Sequence, residues 1–126
     1  MKRVASKTEV GRVISEVFSI LNESFKNLVI LKRTHSEDKT KTFMDETGLD
    51  HKMICEEILS LNSLNYSYTD KDKDPKRKGE IWIFGKVFNP PLNDLSTEVY
   101  IKIKLQGGRV VCLSFHPSEY AINYPI

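Results

Sequence analysis

The last third of the chain constrains the fold most strongly, because two strand-like stretches follow each other there. Apolar and polar residues alternate along Val99–Leu105, which is typical of a strand with one buried side. A second strand is predicted over Arg109–His116, and Gln106-Gly107-Gly108 joins the two. Together they predict an antiparallel β-hairpin whose polar positions share one face.

The pairing of these strands follows from the pattern, since a slip of one residue would turn one set of core side chains outward. A two-residue Gly107-Gly108 loop would set Lys102 opposite Leu113, mixing polar with core residues. A three-residue loop avoids this. Its apolar pairs are Val99 with Phe115, Ile101 with Leu113, and Ile103 with Val111. Its polar pairs are Glu98 with His116, Tyr100 with Ser114, and Lys102 with Cys112.

The polar face of the hairpin predicts an acid/base cluster. Directly opposed side chains have Cβ atoms about 5 Å apart, so His116 would touch Glu98 and come within reach of Tyr100. An imidazole beside a carboxylate, a phenol and the Lys102 ammonium suits proton transfer. A solvated strand face carries the same residue types, and both interpretations stay open.

Size and composition indicate one domain, residues 1–126, of ordinary globular character. The apolar fraction is 40% and the charged fraction 29%. No apolar run approaches the roughly 18 residues of a membrane span, and the N-terminus lacks the hydrophobic stretch of a secretion signal. Cys55 and Cys112 have no metal-ligand spacing. We therefore expect a cytoplasmic protein without membrane association, metal or cofactor, and without a disulfide.

The net charge of +2 does not by itself indicate a nucleic-acid partner. Basic side chains prevail in residues 1–41 and 71–78, whereas acidic ones prevail in 42–70. A phosphate-bearing partner would be attracted to the basic regions. Solubility explains the same distribution equally well.

Helical signals occupy the first half of the chain. Ser6 and Glu9 have capping-box spacing, and an apolar stripe follows through residues 7–21. This N-terminal amphipathic helix would pack on the sheet or meet a partner. Further helices are predicted at 39–47, ending at Gly48, and after an Asp50 N-cap.

Strands are predicted at 28–31, 64–69 and 80–88, besides the hairpin. Tyr66 and Tyr68 would lie on one side of the second of these, and residues 70–79 would form a mobile loop. Strands joined by short connections favour antiparallel pairing. The predicted class is α+β: a small twisted antiparallel sheet of three to five strands with helices packed on one face.

Four segments in order resemble the MqsR-like toxins of bacterial toxin–antitoxin systems, within the RelE/ParE-type ribonuclease superfamily. The resemblance covers about residues 28–116 and leaves out helix 7–21, so that 28–126 would form a RelE-like core. The matching segments are Thr47–Asp50 with the helix ending Ile58–Leu61, Ile81-Trp82, Glu98–Ile103, and Val111–Phe115. The extension from His116 to Tyr124-Pro125, with Trp82–Lys86, indicates a divergent branch.

The resemblance implies a metal-independent mRNA endoribonuclease, held inactive by a cognate antitoxin and monomeric or weakly dimeric when free. Such chemistry needs a base, an acid and cations around the phosphate. Tyr100 falls on the family's tyrosine. Three other positions differ: a glutamine is replaced by Ile83, one lysine falls near Tyr68, and another lysine is replaced by His116.

The resemblance and the polar face together assign a role to each candidate residue. His116 is the predicted general acid or base, and Tyr100 a positioning or proton-donating group. Lys102 and Lys86 would stabilise the phosphate, and Glu98 or Glu119 would orient the imidazole. The remaining candidates would bind RNA: Lys104, Arg109, Tyr66 and Tyr68.

Two other functions are compatible with the sequence. A non-catalytic module that binds RNA or a protein would keep the toxin fold without the missing lysine and glutamine. A DNA-binding regulator ranks last, because no predicted helix has the basic, turn-linked character of a recognition helix.

Overall fold

The structure, a computed structural model, describes residues 2–73, 79–92 and 95–126, and over these residues the chain forms three α-helices and a five-stranded sheet. The predicted α+β class is therefore confirmed. The elements, in chain order, are α1 (Lys7–Glu23), β1 (Leu28–Ile30), α2 (Lys39–Thr47), α3 (His51–Leu59), β2 (Tyr66–Lys71), β3 (Glu80–Phe88), β4 (Thr97–Gln106) and β5 (Arg109–Pro117).

The helix ends confirm the capping signals in the sequence. The Ser6 hydroxyl accepts from the Glu9 N–H, and the Glu9 carboxylate accepts from the Ser6 N–H. Asp50 caps α3 as predicted, through the Met53 N–H at 2.8 Å. Asp38, for which no capping role was predicted, caps α2. Gly48 ends α2 with φ of 76°, a left-handed conformation that glycine adopts without strain.

The sheet has the strand order β1-β5-β4-β3-β2, and every neighbouring pair is antiparallel except β1 with β5. β1 is three residues long and pairs only with Val110–Cys112. Farther along this side of β5, the Leu113 carbonyl accepts from the Arg33 side chain, and the Phe115 N–H donates to the Thr40 hydroxyl. Side chains from the β1–α2 connection and α2 thus replace a neighbouring strand here.

The main hydrophobic core lies between the helices and one side of the sheet, which we call the covered face. Alternate residues of the strands contribute to it. The N-terminal helix contributes to this core, so its apolar stripe packs inside the protein. The helical core residues include Val10, Ile14, Val17, Leu21, Phe43, Ile54 and Ile58. Their partners on the strands include Tyr66, Trp82, Phe84, Val99, Ile101, Ile103, Val110, Cys112 and Phe115.

A smaller cluster lies on the opposite side of the sheet, which we call the open face. Ile81, Ile83 and Leu113 are buried there. The partly buried residues around them are Leu31, Tyr68, Tyr100 and Val111.

The predicted register of the hairpin is wrong, because β5 carries a bulge. Gly107 and Gly108 form a two-residue turn with φ of 59° and 73°, and Gln106 pairs with Arg109. Ile103 pairs with Cys112 but Lys102 pairs with Ser114, so Leu113 is an extra residue on β5. The bulge restores apolar pairing beyond the turn, with Ile101 opposite Phe115, and a three-residue loop is unnecessary.

The prediction that Tyr66 and Tyr68 share one side of β2 is wrong, because this strand also carries a bulge. Tyr66 pairs with Phe84 and Tyr68 with Ile83, so the strand gains a residue at Ser67. The two tyrosines consequently lie on opposite faces instead of one. The strand also begins at Tyr66 and continues through Asp70 and Lys71, which the sequence had placed in a loop.

Several predictions concern residues that the structure describes only in part. The basic stretch 71–78 and the predicted mobile loop 70–79 both include residues 74–78, which lie outside the described residues. Cys55 and Cys112 are buried free thiols. None of the described helices combines the length and apolar character that crossing a membrane requires.

Candidate active site

His116 and Tyr100 form the centre of the candidate site, on the open face where β4 and β5 pair. The bulge at Leu113 places these two residues directly opposite each other. Their ring centroids are 5.7 Å apart and the ring planes differ by 28°, a stacked arrangement. The sequence predicted Glu98 opposite His116 and Ser114 opposite Tyr100. In the structure His116 and Tyr100 are opposite each other instead, so both predicted pairs are wrong.

The His116 ring has a defined orientation. Its Nδ1 lies 3.0 Å from the carbonyl oxygen of Pro117. Because a carbonyl oxygen only accepts hydrogen bonds, Nδ1 carries the proton in the neutral ring and Nε2 carries the lone pair. The partly exposed imidazole therefore offers a basic nitrogen at Nε2.

Glu98 does not orient this imidazole, because the C-terminal segment occupies its carboxylate. Glu98 accepts from the Tyr124 hydroxyl at 2.9 Å and from the Ile122 N–H at 3.2 Å. Burial, with the bond to Glu98, raises the pKa of Tyr124 to about 12. The carboxylate thus holds residues 122–124 against the sheet.

Glu119 is engaged elsewhere as well. It forms an exposed ion pair with Lys39, at the start of α2. The Lys39 ammonium lowers the pKa of Glu119, and a charged His116 lowers it by a smaller amount. Glu119 therefore lies near His116, and the two line one cleft, but the hydrogen bond of the ring is to Pro117 rather than to Glu119.

Tyr100 is a neutral hydrogen-bond donor at physiological pH. Partial burial raises the pKa of its phenol, and the hydroxyl of Tyr68, 3.3 Å away, raises it further. Tyr100 and Tyr68 therefore share one hydrogen bond and present neighbouring rings on the open face.

Of the predicted lysines, Lys102 lies on the same face of the sheet as His116 and Tyr100. It lies on the open face opposite Ser114, and it forms no ion pair with any described residue. Lys104 lies on the same face but is 2% exposed and bonded to Asp72 at 2.8 Å. Lys104 is thus not available to a ligand.

Two candidates lie on the covered face, away from the site. Lys86 pairs with Val99, a core residue, and its ammonium binds Glu57 of α3 at 2.9 Å and the Ser60 hydroxyl. Tyr66 is fully buried, where its hydroxyl accepts from the Ala5 N–H at 2.8 Å. Strand alternation and the Ser67 bulge exclude both residues from the predicted cluster.

Arg109 is exposed beside the Gly107-Gly108 turn. It begins β5, whereas His116 lies near the end of that strand. Seven residues of extended chain correspond to roughly 23 Å. Arg109 is therefore too far from His116 to act on the same phosphate.

A cleft of about 450 Å³ lies over His116 and Tyr100, and we call it the tyrosine cleft. Tyr68 and Ser67 of β2 line it, and the C-terminal segment 118–123 forms one wall. The Lys2 ammonium lies 4.6 Å from the centroid of the Tyr68 ring. The sequence analysis missed Lys2 and named only Glu119 from the C-terminal wall, since no local pattern connects the chain ends to the hairpin.

A second cleft, of about 210 Å³, lies on the other side of His116, and we call it the arginine cleft. Its lining residues are Arg33, Ser36, Glu37, Lys39, Thr40, Ser114 and His116. The only sequence signal for this cleft was the basic excess of residues 1–41. Among the described residues, no three His, Cys, Asp or Glu side chains are grouped as metal ligands.

Comparison with known proteins returns no significant match to any protein-family model, curated protein or solved structure. What the fold and the site define is a small α+β protein with a histidine and a tyrosine stacked on the open face of its sheet.

Proposed function

We propose that this chain is the toxin of a toxin–antitoxin pair and cleaves mRNA without a metal ion. The observation that supports this most directly is the stack of His116 on Tyr100 in the tyrosine cleft, with Lys102 on the same face. RNA cleavage by its own 2′-hydroxyl needs a base, a proton for the leaving 5′-oxygen and positive charge or hydrogen bonds at the phosphate. His116 would supply the base, Tyr100 and Lys102 would act on the phosphate, and water would supply the proton.

His116 would act as the general base. Its Nε2 takes the proton of the 2′-hydroxyl, and the 2′-oxygen then attacks the adjacent phosphorus. The bond from phosphorus to the 5′-oxygen breaks, and the 5′-oxygen takes a proton from water in the open cleft. The products are a 2′,3′-cyclic phosphate and a 5′-hydroxyl end.

Tyr100 and Lys102 would stabilise the charge that develops on the phosphate. The raised pKa of Tyr100 keeps its phenol protonated, so it donates a hydrogen bond and does not compete with His116 for the proton. Lys102 supplies a positive charge that no described carboxylate neutralises.

Replacing His116 tests the proposal. His116→Gln should lower the rate of RNA cleavage by about 10²- to 10⁴-fold, because the base is lost, while the partly exposed position leaves the fold intact. The assay is cleavage of a labelled single-stranded RNA by the purified protein in EDTA, with circular dichroism to check folding. His35→Gln is the matched control, since His35 is exposed and lies in neither cleft. Full activity of His116→Gln would contradict the assigned base.

The same preparation tests Lys102. Lys102→Met should slow cleavage roughly tenfold or more, because a charge next to the phosphate is lost. Lys52→Met, at an exposed position of α3, should not change the rate. Equal rates for the two variants would remove Lys102 from the mechanism.

The toxin role has a cellular test. Expression of the wild-type chain should stop growth, expression of His116→Gln should not, and co-expression of the neighbouring antitoxin gene should restore growth. We expect the free protein to be monomeric or weakly dimeric and to act in the cytoplasm, where its mRNA substrate is.

A non-catalytic RNA-binding module is the second candidate. Two observations favour it. The one hydrogen bond of the His116 ring among the described residues is to a backbone carbonyl. The partly exposed rings of Tyr68 and Tyr100 suit base stacking. A wild-type protein that binds RNA, leaves it intact and is tolerated by the cell would establish this function instead.

A further inference from the structure

The arginine cleft has no role in the cleavage step described above, and its chemistry points to an anion. We infer that it is a phosphate subsite, which holds one internucleotide phosphate of an RNA strand while the neighbouring nucleotide lies in the tyrosine cleft. The inference rests on the proposed function for the identity of the ligand, and it adds a binding site with its own residues.

The cleft exists because β1 is short. β1 ends at Ile30, so among the described residues no strand continues along the β1 side of the far half of β5, and the chain turns away before α2 begins. Arg33 lies in this turn and is held at two points. Its side chain donates to the Leu113 carbonyl at 3.2 Å, and its N–H donates to the Asp38 carboxylate at 3.1 Å. No other described residue binds the guanidinium, so its remaining N–H groups are available to a phosphate.

The other lining residues add donors and charge. Lys39 begins α2, and its pair with Glu119 raises the pKa of the ammonium, so that it is charged at physiological pH. Ser36 and Ser114 also line this space. Glu37 is the one carboxylate among the lining residues, against two cations and His116. Arg33 and Lys39 thus outnumber Glu37 in the lining, but Lys39 is already paired with Glu119, so among the described residues Arg33 is the lining cation without an ion pair and the one best placed to bind a phosphate.

His116 links the two clefts, since it lines both. The tyrosine cleft offers aromatic rings and the arginine cleft offers cations, so a strand crossing His116 would leave a base on one side and a phosphate on the other. This arrangement would place the connecting ribose and its 2′-hydroxyl next to the imidazole.

A substrate that cannot be cleaved separates binding from catalysis. We propose measuring the affinity of a fluorescein-labelled 2′-O-methyl RNA tetranucleotide over a range of KCl concentrations. Arg33→Gln should weaken binding roughly tenfold at low salt and reduce the slope of log K against log[KCl] by about 0.7, since one phosphate contact is lost. Arg12→Gln is the matched control, because Arg12 is exposed on α1 and lies in neither cleft.

Glu119→Gln should have the opposite effect on affinity for the tetranucleotide. It frees Lys39 from its carboxylate, so binding should tighten by about two- to fivefold. Lys39→Gln should weaken binding, and the combination of both changes should bind no better than Lys39→Gln alone. Melting curves of each variant show whether the fold is retained.

The outcomes distinguish this inference from the proposed function. Equal effects of Arg33→Gln and Arg12→Gln, or no binding of the tetranucleotide by the wild type, would overturn the phosphate subsite even if His116-dependent cleavage is observed. Weaker binding by Arg33→Gln alone would support the subsite even if the protein cleaves no RNA. Arg33-dependent binding of inorganic phosphate, without any effect of Arg33→Gln on the tetranucleotide, would identify a site for free anions and overturn the inference.

Discussion

Gly85 shows how a single residue shapes the tyrosine cleft. It lies on β3 opposite Tyr100, where the C-terminal segment crosses the open face. A Cβ at this position would lie 2.4 Å from the Tyr124 hydroxyl oxygen and 2.6 Å from Cδ1 of Ile122. Only glycine leaves the space that these two side chains occupy, so it allows the segment to form the cleft wall.

Gly85→Ala should therefore displace the C-terminal segment. The expected loss in the free energy of unfolding is about 1–3 kcal/mol, the usual effect of overpacking. Hydrogen exchange should accelerate selectively in residues 118–126, which mass spectrometry of peptic fragments would detect.

Gly11→Ala is the matched control, and its effect should have the opposite sign. A Cβ at Gly11 meets nothing within 4 Å, and the residue lies inside α1. The substitution should raise the free energy of unfolding by about 0.5–1 kcal/mol, because alanine loses less backbone entropy on folding. If Gly11→Ala destabilised the protein as much as Gly85→Ala does, the loss at Gly85 could not be attributed to the contacts of the added Cβ with Tyr124 and Ile122.

At the scale of elements, two bulges decide which side chains share a face. The extra residue at Leu113 turns His116 towards Tyr100, and the extra residue at Ser67 separates Tyr66 from Tyr68. Alternation in the sequence identified the strands but could not locate an insertion of one residue, because a bulge leaves each flanking stretch alternating normally. This is why the residues of the hairpin cluster were predicted but their pairing was not.

Helix ends depend on local chemistry, and Asp38 offers a test. Its carboxylate accepts from the Lys41 N–H at 3.0 Å and from the Arg33 N–H, and these bonds lower its pKa. Asp38→Ala should cost about 1 kcal/mol of stability at pH 7, since the N-cap of α2 is lost. Urea unfolding at several pH values measures the effect.

The sign of the pH dependence follows from the lowered pKa. A carboxyl with a lower pKa in the folded state stabilises the fold above its unfolded pKa, and this contribution is lost as the pH falls through the folded value. The difference between wild type and Asp38→Ala should thus shrink below about pH 4. A difference that stays constant down to pH 2 would mean that Asp38 acts through packing rather than through its charge.

At the scale of the whole molecule, the candidate site is assembled from both ends of the chain. Lys2 contacts Tyr68, the central hairpin contributes Tyr100 and His116, and residues 118–123 close one side. The bond between Tyr124 and Glu98 fastens this last segment to β4. The volume of the tyrosine cleft therefore depends on a contact outside it.

Tyr124→Phe should loosen this closure without altering the sheet. We expect a loss of about 1 kcal/mol in the free energy of unfolding at pH 7, from the missing bond to a charged carboxylate. Because the pKa of Tyr124 is raised to about 12, its contribution is complete below about pH 10 and is lost as the pH rises towards 12. Chemical denaturation of wild type and variant at pH 7 and at pH 10.5 measures the difference in the free energy of unfolding at each pH.

Tyr120→Phe is the control for this substitution, since the Tyr120 side chain is 82% exposed. It should leave both the stability and its alkaline pH dependence unchanged. Similar losses for the two variants would show that the hydroxyl of Tyr124 has no special role in holding the segment.

The sequence by itself determined the features that depend on near neighbours. The capping residues Ser6, Asp38 and Asp50, the stop at Gly48 and the bounds of β3 all follow from local hydrogen bonding and from the period of apolar residues. The α+β class follows from their order. Such features need no knowledge of distant residues.

Only the tertiary structure decided which of the polar candidates meet. Lys86 bonds to α3, Lys104 to Asp72 and Glu98 to Tyr124, and each partner is distant in the chain. Arg33 and Lys39 line one cleft with His116 because β1 ends early and α2 packs beside β5. The physical reason is that an ionisable side chain pairs with whatever charge the folded chain brings near it, and this depends on long-range packing rather than on sequence spacing.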